Sequence, residues 1–406
     1  MAPPRSHRIR RIVAWLLIGT SVLSLARLSW IALAPLPADR TVPAQVAFLA
    51  GALDRGAGRQ MQTLFPEGEF FTHALTGLAA VPTDSALARS QLATLDADPI
   101  ASRFGNGMST EHGIFHAGWS LALAVAIAAE TGDPSDVATV ADRAPAVHRA
   151  LTGAPTGIPA SYPGRYWPCD AVVAAASLAA AADLLGETGW LEDLRGWRDT
   201  LAPLLDPTLG LLPHRVTAEG EVFDGPRGSS QAIIQAFWPS LTTHLDGGPD
   251  LAAWSAYRDA FVVTVAGLVG VREYPIGSPG AGDVDSGPLV VGVSLSASAV
   301  TLAAARAVGD TALASDLDRE AELFGLPAAW GGTRRYAAGL VPVGDAFLAW
   351  ARAVPMTPAT DTGTGPRVGW MLLGIPAAVL LLGGLLLLPG DPRHAHWSPA
   401  TSAASC

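Results

Sequence analysis

The sequence predicts an all-α fold: an (α/α)6 toroid of six helix hairpins, flanked by two transmembrane helices. Three observations predict it. A long apolar stretch stands near each end of the chain. Between them, helical periodicity recurs about a dozen times with almost no two-residue alternation. These helical segments also alternate in composition, one set rich in alanine and glycine and the other amphipathic.

The first apolar stretch follows Arg5, Arg8, Arg10 and Arg11 and runs from Ile12 to Ala34. Only Arg27 interrupts it, near enough to one end to snorkel to an interface. Ala32-Leu33-Ala34 resembles a signal-peptidase site, but Pro35 follows and opposes cleavage, so an uncleaved anchor is expected. The second stretch, Val368 to Leu388, carries no charge and has the ~20-residue length of a spanning helix. The arginines ahead of the first span place the N-terminus in the cytoplasm. The expected organisation is a cytoplasmic start (1–11), an anchor (12–34), an extracytoplasmic toroid (41–357), a second span (368–388) and a cytoplasmic tail (389–406) in the cell membrane.

The alanine- and glycine-rich segments cover about 69–81, 113–131, 169–187, 228–245, 289–308 and 341–354. Small residues suit an inner layer, where six helices crowd round an axis. The amphipathic segments, about 42–63, 84–95, 133–151, 191–203, 251–269 and 312–324, suit an outer shell. A stack of open helical repeats would share the alternation, but the repeats resemble one another poorly.

Half of the residues are hydrophobic, 15% are charged and the net charge is −10, so the basic footprint of a nucleic-acid binder is missing. All the cations except histidine are arginine, which together with the abundant alanine suits a GC-rich genome. The two cysteines, Cys169 and Cys406, exclude a disulfide framework and a cysteine-rich zinc site. There is no G-x-S-x-G elbow, phosphate-binding glycine loop or H-E-x-x-H, and no cofactor is expected.

Each inner helix is preceded by a polar or aromatic cluster: "FPEGEFFTH", "STEHGIFH", "RYWPCD", "FDGPRGSSQ", "GDVDSGP" and "TRRY". If the inner helices run in parallel, these clusters converge at one end of the barrel, together with unpaired N–H groups and positive dipole ends. Ser109, Thr110, Asp170, Ser229, Asp285 and Ser286 are types that cap helices. Capping leaves an excess unexplained: Glu67, Glu69 and His73 near one helix start, and Glu111, His112 and His116 near another. His112 and His116 share a helix face, but no third metal ligand is signalled, so no metal is expected.

Tyr166, Trp167, Phe70, Phe71, Phe104, Phe115 and Trp119 suit core packing, and beside the acids Tyr166 and Trp167 also suit a substrate platform. Cys169 at a helix start is a candidate thiol. His214 and Arg215 read as loop residues with a smaller chance of lining the pocket. In "GDVDSGP", Ser286-Gly287-Pro288 is expected to start a helix, with Asp285 at its cap and Asp283 less constrained on a glycine-rich loop.

From about residue 65 to 355, three stretches carry a family resemblance. They are "IFHAGWSLALAVAIAAETGD", "YWPCDAVVAAASLAAAADLLG" and "VREYPIGSPGAGDVDSGPLVVGVSLSASAVTLAAARAVGD". They resemble the linalool dehydratase/isomerase family, which implies an (α/α)6 barrel and chemistry on a monoterpene alcohol. That family uses a histidine where this chain places Trp119, with His116 three residues earlier. It has a cysteine pair where this chain has Cys169 alone, with Asp170 at the position of one of them. Its tyrosine and aspartate near the N-terminus have no match here.

Two functions from different classes fit. One is an extracytoplasmic enzyme with acid–base chemistry in the toroid mouth: a carbon–oxygen lyase or isomerase on a hydroxylated, terpenoid-like substrate, or a glycosidase on cell-envelope glycan. Its candidate catalytic residues are Glu111, His116, Cys169, Asp170 and Asp285. Its candidate substrate contacts are Glu67, His112, Trp119, Tyr166, Trp167, Asp283 and Tyr336. The other is a non-catalytic membrane protein that binds lipid or glycan. Partners are a small hydroxylated or glycan substrate and the bilayer; self-association stays open.

Overall fold

The computed structural model describes residues 5–33, 38–265, 267–358 and 372–388. It divides into two compact units, residues 1–34 with 366–406, and residues 35–365.

In the smaller unit, α1 (Arg5–Leu33) packs against the last helix, Ile375–Leu387, labelled α16 below. The two run antiparallel, because Arg10 Nε, near the start of α1, donates to the Leu387 carbonyl at 2.9 Å. Gly384 is what permits the approach: a Cβ there would lie 2.8 Å from Ile18 Cγ1 and 3.0 Å from the Ala14 carbonyl oxygen. The α1 helix is long and apolar enough to cross a membrane. Of the second expected span, residues 372–388 are described, with α16 over Ile375–Leu387 and Pro376 in its first turn. Residues 368–371, the tail 389–406 and residues 1–4 lie outside the described residues.

The larger unit is mostly helical. Its inner helices are α4 (Gly68–Ala80), α7 (Gly113–Thr131), α9 (Pro168–Leu185), α11 (Gly228–Asp246), α13 (Leu295–Val308) and α15 (Pro342–Ala353). Each packs on the next, and α15 packs back on α4, so the ring closes and the open-stack alternative falls. The outer helices are α2 (Ala38–Asp54), α5 (Ser85–Leu95), α8 (Pro134–Gly153), α10 (Thr188–Thr200), α12 (Leu251–Phe261) and α14 (Thr311–Phe324). Short helices α3 (Ala57–Gln62) and α6 (Asp98–Ala101) complete the set. The α7 and α9 helices also have the length and apolarity of spans, but most of their residues are buried inside the ring, where alanine lets backbones crowd.

Four sequence expectations need correction. The expected helix over 42–63 is broken at Gly56, whose φ of 87° leaves the helical region. The expected helix over 251–269 ends at Phe261, where the β-branched run Val262-Val263-Thr264-Val265 forms strand β3 (Val262–Val265). Strand β3 pairs antiparallel with β4 (Leu268–Arg272), which pairs with β5 (Val293–Ser294). Two further hairpins, β1 (Arg215–Val216) with β2 (Val222–Asp224) and β6 (Ala328–Trp330) with β7 (Thr333–Arg335), add strand where almost none was expected. Finally, α13 starts at Leu295 and not near Pro288: Ser294 is its N-cap, accepting from the Ala297 N–H.

The two layers end differently. Outer helices α5, α8, α12 and α14 are each capped by an aspartate side chain: Asp84, Asp133, Asp250 and Asp310. Among the inner helices only α13 has a side-chain cap from its N-cap residue; α4, α7, α9, α11 and α15 have none. Their N-terminal N–H groups are thus left for partners from elsewhere. The start of α11 shows one such partner. The Gly228 and Ser229 N–H groups donate to the Glu273 carbonyl (2.8 Å) and to Glu273 Oε2 (3.1 Å). Only glycine fits at 228, since a Cβ would lie 1.9 Å from the Arg272 carbonyl oxygen.

Candidate active site

A cavity of about 610 Å³ opens at the N-terminal ends of the inner helices, and all six contribute to its lining. Its deeper part is apolar. Phe71, Phe115, Trp119, Ile233, Val300 and Phe347 come from the first two turns of α4, α7, α11, α13 and α15. Trp119 stands edge-on to Phe71 and Phe237, with ring centroids 5.3 and 5.1 Å apart, and Trp350 packs behind them. Interlocked aromatic rings seal the axis below the cavity.

The polar groups come from the helix starts and loops: Glu67, Tyr162, Cys169, Asp170, His214, Ser229 and Asp285. The Tyr162 hydroxyl donates to Glu67 Oε1 at 2.7 Å. Asp170 stands in the first turn of α9 and is buried. Burial, with the charges of Glu67 and Asp285 nearby, pushes its pKa up to about 7 against a hydrogen bond with Ser161. Burial, then the Asp283 and Glu67 charges, raises Asp285 to about 6, and burial raises Glu67 above the ordinary carboxylate range in spite of Tyr162. The three carboxyls therefore share one electrostatic environment, in which protons are held more tightly than in water. Cys169 is buried and free, and burial holds its thiol protonated; Sγ lies 3.7 Å from Asp170 Oδ1.

The structure brings together Glu67, Trp119, Trp167, Cys169, Asp170 and Asp285 on this cavity. It places the other sequence candidates elsewhere. Glu111 is exposed and does not line it. His116 is buried one residue beyond Phe115; since Phe115 and Trp119 form the cavity face of α7, His116 points to α5 and bonds the Leu95 carbonyl at 3.0 Å. His112 Nδ1 bonds the Gly105 carbonyl at 2.8 Å. Tyr166 faces a separate crevice beside Ser109 and Arg149. Tyr336 is buried against Glu322 and Arg352, between α14 and α15. Among the described residues no cluster of histidine, cysteine and carboxylate is arranged to hold a metal.

The "GDVDSGP" stretch is a structured loop, not a helix start. Asp283 Oδ1 accepts from the Asp285 and Ser286 N–H groups at 3.1 Å each, and its other oxygen pairs with Arg227. Asp283 is thus the constrained member, held by Arg227 away from the cavity lining. Asp285, freed from capping, lines the cavity. Burial alone would raise the Asp283 pKa, but the Ser286 N–H and Arg227 outweigh it and the net shift is downward.

Tyr162 and Glu273 were missed in the sequence, and Ser229 was read there only as a helix-cap type. Glu273 is fully buried, accepts from the Ser229 hydroxyl at 2.9 Å, and burial raises its pKa to about 7. The only signal for it was the "VRE" preceding the glycine-rich loop.

No family model matches the chain, and no curated protein matches it. Among solved structures the chain is similar to an inactive variant of the α-1,6-mannanase GH76A of Salegentibacter sp. HEL1_6 in complex with α-1,6-mannotriose. The identity is 15%, over 75% of this chain and 98% of that one, with a TM-score of 0.43. It is also similar to a D-mannose isomerase, with 13% identity over 48% of this chain, 61% of the length of that one, and a TM-score of 0.37. The linalool dehydratase/isomerase family is not among these findings. The toroid assignment rests on the closed ring of this chain itself.

Proposed function

We propose that the cavity is the active site of an enzyme that cleaves a carbon–oxygen bond by general-acid catalysis, and that its substrate is a largely apolar alcohol. The observation that carries this reading is the polarity of one cavity: carboxyls at two helix starts and on the 282–288 loop, above an aromatic floor. An amphiphile would enter apolar end first and leave its oxygen among Glu67, Asp170 and Asp285. In the lyase direction, the Asp170 carboxyl donates its proton to the substrate oxygen, and the carbon–oxygen bond breaks with its electron pair on the departing water. The Asp285 charge stabilises the developing cation, and Glu67, held by Tyr162, accepts the proton from the adjacent carbon. Re-addition of water at another carbon gives isomerisation. A donor with a pKa near 7 is matched to work at neutral pH.

A second reading is glycoside hydrolysis. The convergence of several carboxyls beside the rings of Tyr162 and Trp167 favours it, since paired acids and aromatic faces serve sugars equally well. The purified full chain incubated with an allylic alcohol and, separately, with mannose-, glucose- and N-acetylglucosamine-containing oligosaccharides distinguishes the two. A diene or rearranged alcohol supports the lyase, a new reducing end supports the glycosidase, and neither product rejects both.

We further propose that α1 and α16 are membrane-spanning and that the toroid is extracytoplasmic. The antiparallel pairing of Arg10 with the end of α16 supports a helix pair with the start of α1 and the end of α16 on one side, and the arginines ahead of the first apolar stretch are the ground for taking that side as cytoplasmic. A reporter active only in the cytoplasm, fused near Gly210, is expected to stay dark; a strong signal reverses the topology.

A further inference from the structure

One group on the cavity is left unused by these roles. His214 lies just before the Arg215–Val216 strand, its side chain 8% exposed, and lines the cavity. Its backbone is fixed, the N–H donating to the Asp224 and Gly225 carbonyls at 3.0 and 3.1 Å. Its ring is not. Nδ1 is buried with no hydrogen-bond partner, and Nε2 stands 3.7 Å from Asp285 Oδ2. That gap is too long for a hydrogen bond. Two polar groups facing each other across it suit a third atom bonded to both.

The buried Nδ1 also settles which nitrogen carries the proton. A buried N–H without an acceptor is rarer in proteins than an under-used acceptor, so the hydrogen belongs on Nε2, on the side of Asp285. Burial, and then the neighbouring Arg227 charge, hold the His214 pKa down to about 4, so the ring is neutral at ordinary pH. The charges of Asp224 and Asp283 oppose that shift without overcoming it.

We infer that His214 and Asp285 form a clamp for a free hydroxyl group, whose oxygen accepts from Nε2–H and whose hydrogen is donated to the Asp285 carboxylate. The inference rests on the reading of the cavity as a site for a hydroxylated substrate, and it narrows that class. An alcohol satisfies both partners. An ether oxygen in the same place has no hydrogen to give and leaves Asp285 unpaired, the kind of mismatch that sites built for a hydroxyl reject strongly.

The test compares cyclohexanol with cyclohexyl methyl ether on the purified full chain, through the fluorescence of the cavity tryptophans Trp119 and Trp167. The alcohol is expected to bind tighter by about tenfold or more. His214→Phe is expected to remove most of that preference, while His214→Gln, whose amide keeps an N–H, retains part of it. Equal binding of the two compounds to the unmodified protein overturns the clamp, and so does an undiminished preference in His214→Phe; the cavity reading survives either result. If neither compound binds, the cavity reading falls and the clamp with it. Should His214→Phe fail to fold, the comparison of His214→Gln with the unmodified chain decides: an unchanged preference there, with the two nitrogen resonances of His214 showing hydrogen on Nδ1, overturns the clamp.

Discussion

The Tyr162 hydroxyl donates to Glu67 Oε1 at 2.7 Å, joining the loop before α9 to the start of α4 on one wall of the cavity. The bond works against burial, which on its own raises the Glu67 pKa. Tyr162→Phe removes the donor and leaves a half-buried carboxylate without it. Glu67 then titrates still higher, and the cost falls on the charged form. The expected loss of stability is about 1.5–3 kcal/mol at pH 8, shrinking toward pH 4 as Glu67 becomes protonated in both states. Thermal melts across that range check the sign. A loss that grows on acidification contradicts the assignment.

The two aspartates of the 282–288 loop are expected to separate stability from function. Asp283→Ala deletes the acceptor of the Asp285 and Ser286 N–H groups and the Arg227 partner, and is expected to cost about 1–2 kcal/mol at neutral pH. Because the Asp283 pKa is depressed, its contribution is present above the ordinary carboxylate range and is lost as pH falls through the folded value. Asp285→Asn is expected to leave the melting temperature nearly unchanged, because the Asp285 side chain is half exposed and water screens its charge. It is nonetheless expected to abolish turnover. Normal turnover in Asp285→Asn, by the product assay above, removes it from the site.

The alternation of two helix compositions made the ring legible in the sequence, because small residues are demanded wherever six backbones crowd one axis. Element ends were less legible. Pro288 resembled a first-turn proline, but Ser294 caps α13, since the preceding residues are spent on a turn that aims Asp285. The site was half legible for a related reason. Acids at helix starts announce themselves, whereas His116 and Phe115 differ by one residue, and only packing decides which faces the cavity. Glu273 and Tyr162 act across the chain, and local pattern carries no record of such partners.

The seam of the ring depends on a buried ion cluster. Arg352 of α15 is fully buried, bonding Glu322 of α14 at 2.7 Å, Gln45 of α2 at 3.1 Å, and Asp318 and Tyr336 besides. Arg352→Met takes the arginine from Asp318 and one of two arginines from Glu322, which keeps Arg334 and the Tyr336 hydroxyl, and is expected to cost about 3–5 kcal/mol. Adding Asp318→Asn to Arg352→Met is expected to recover part of the loss. Denaturant titration of both variants decides; a single variant within about 1 kcal/mol of the parent contradicts the seam.

As the acid of the proposed reaction, Asp170 must hold a proton near neutral pH and be able to donate it. An infrared titration of the unmodified chain and of Asp170→Asn tests this without knowledge of the substrate. The expected result is a protonated-carboxyl component in the difference between the unmodified chain and Asp170→Asn at pH 5, where the raised carboxyls of Glu273 and Asp285 cancel, lost with a midpoint at about 7. Above that midpoint Asp170→Asn is expected to be the more stable protein, because the raised pKa makes the buried charge a cost that appears as pH rises from the unfolded value to the folded one. An Asp170 carboxyl already ionised at pH 5 contradicts the account.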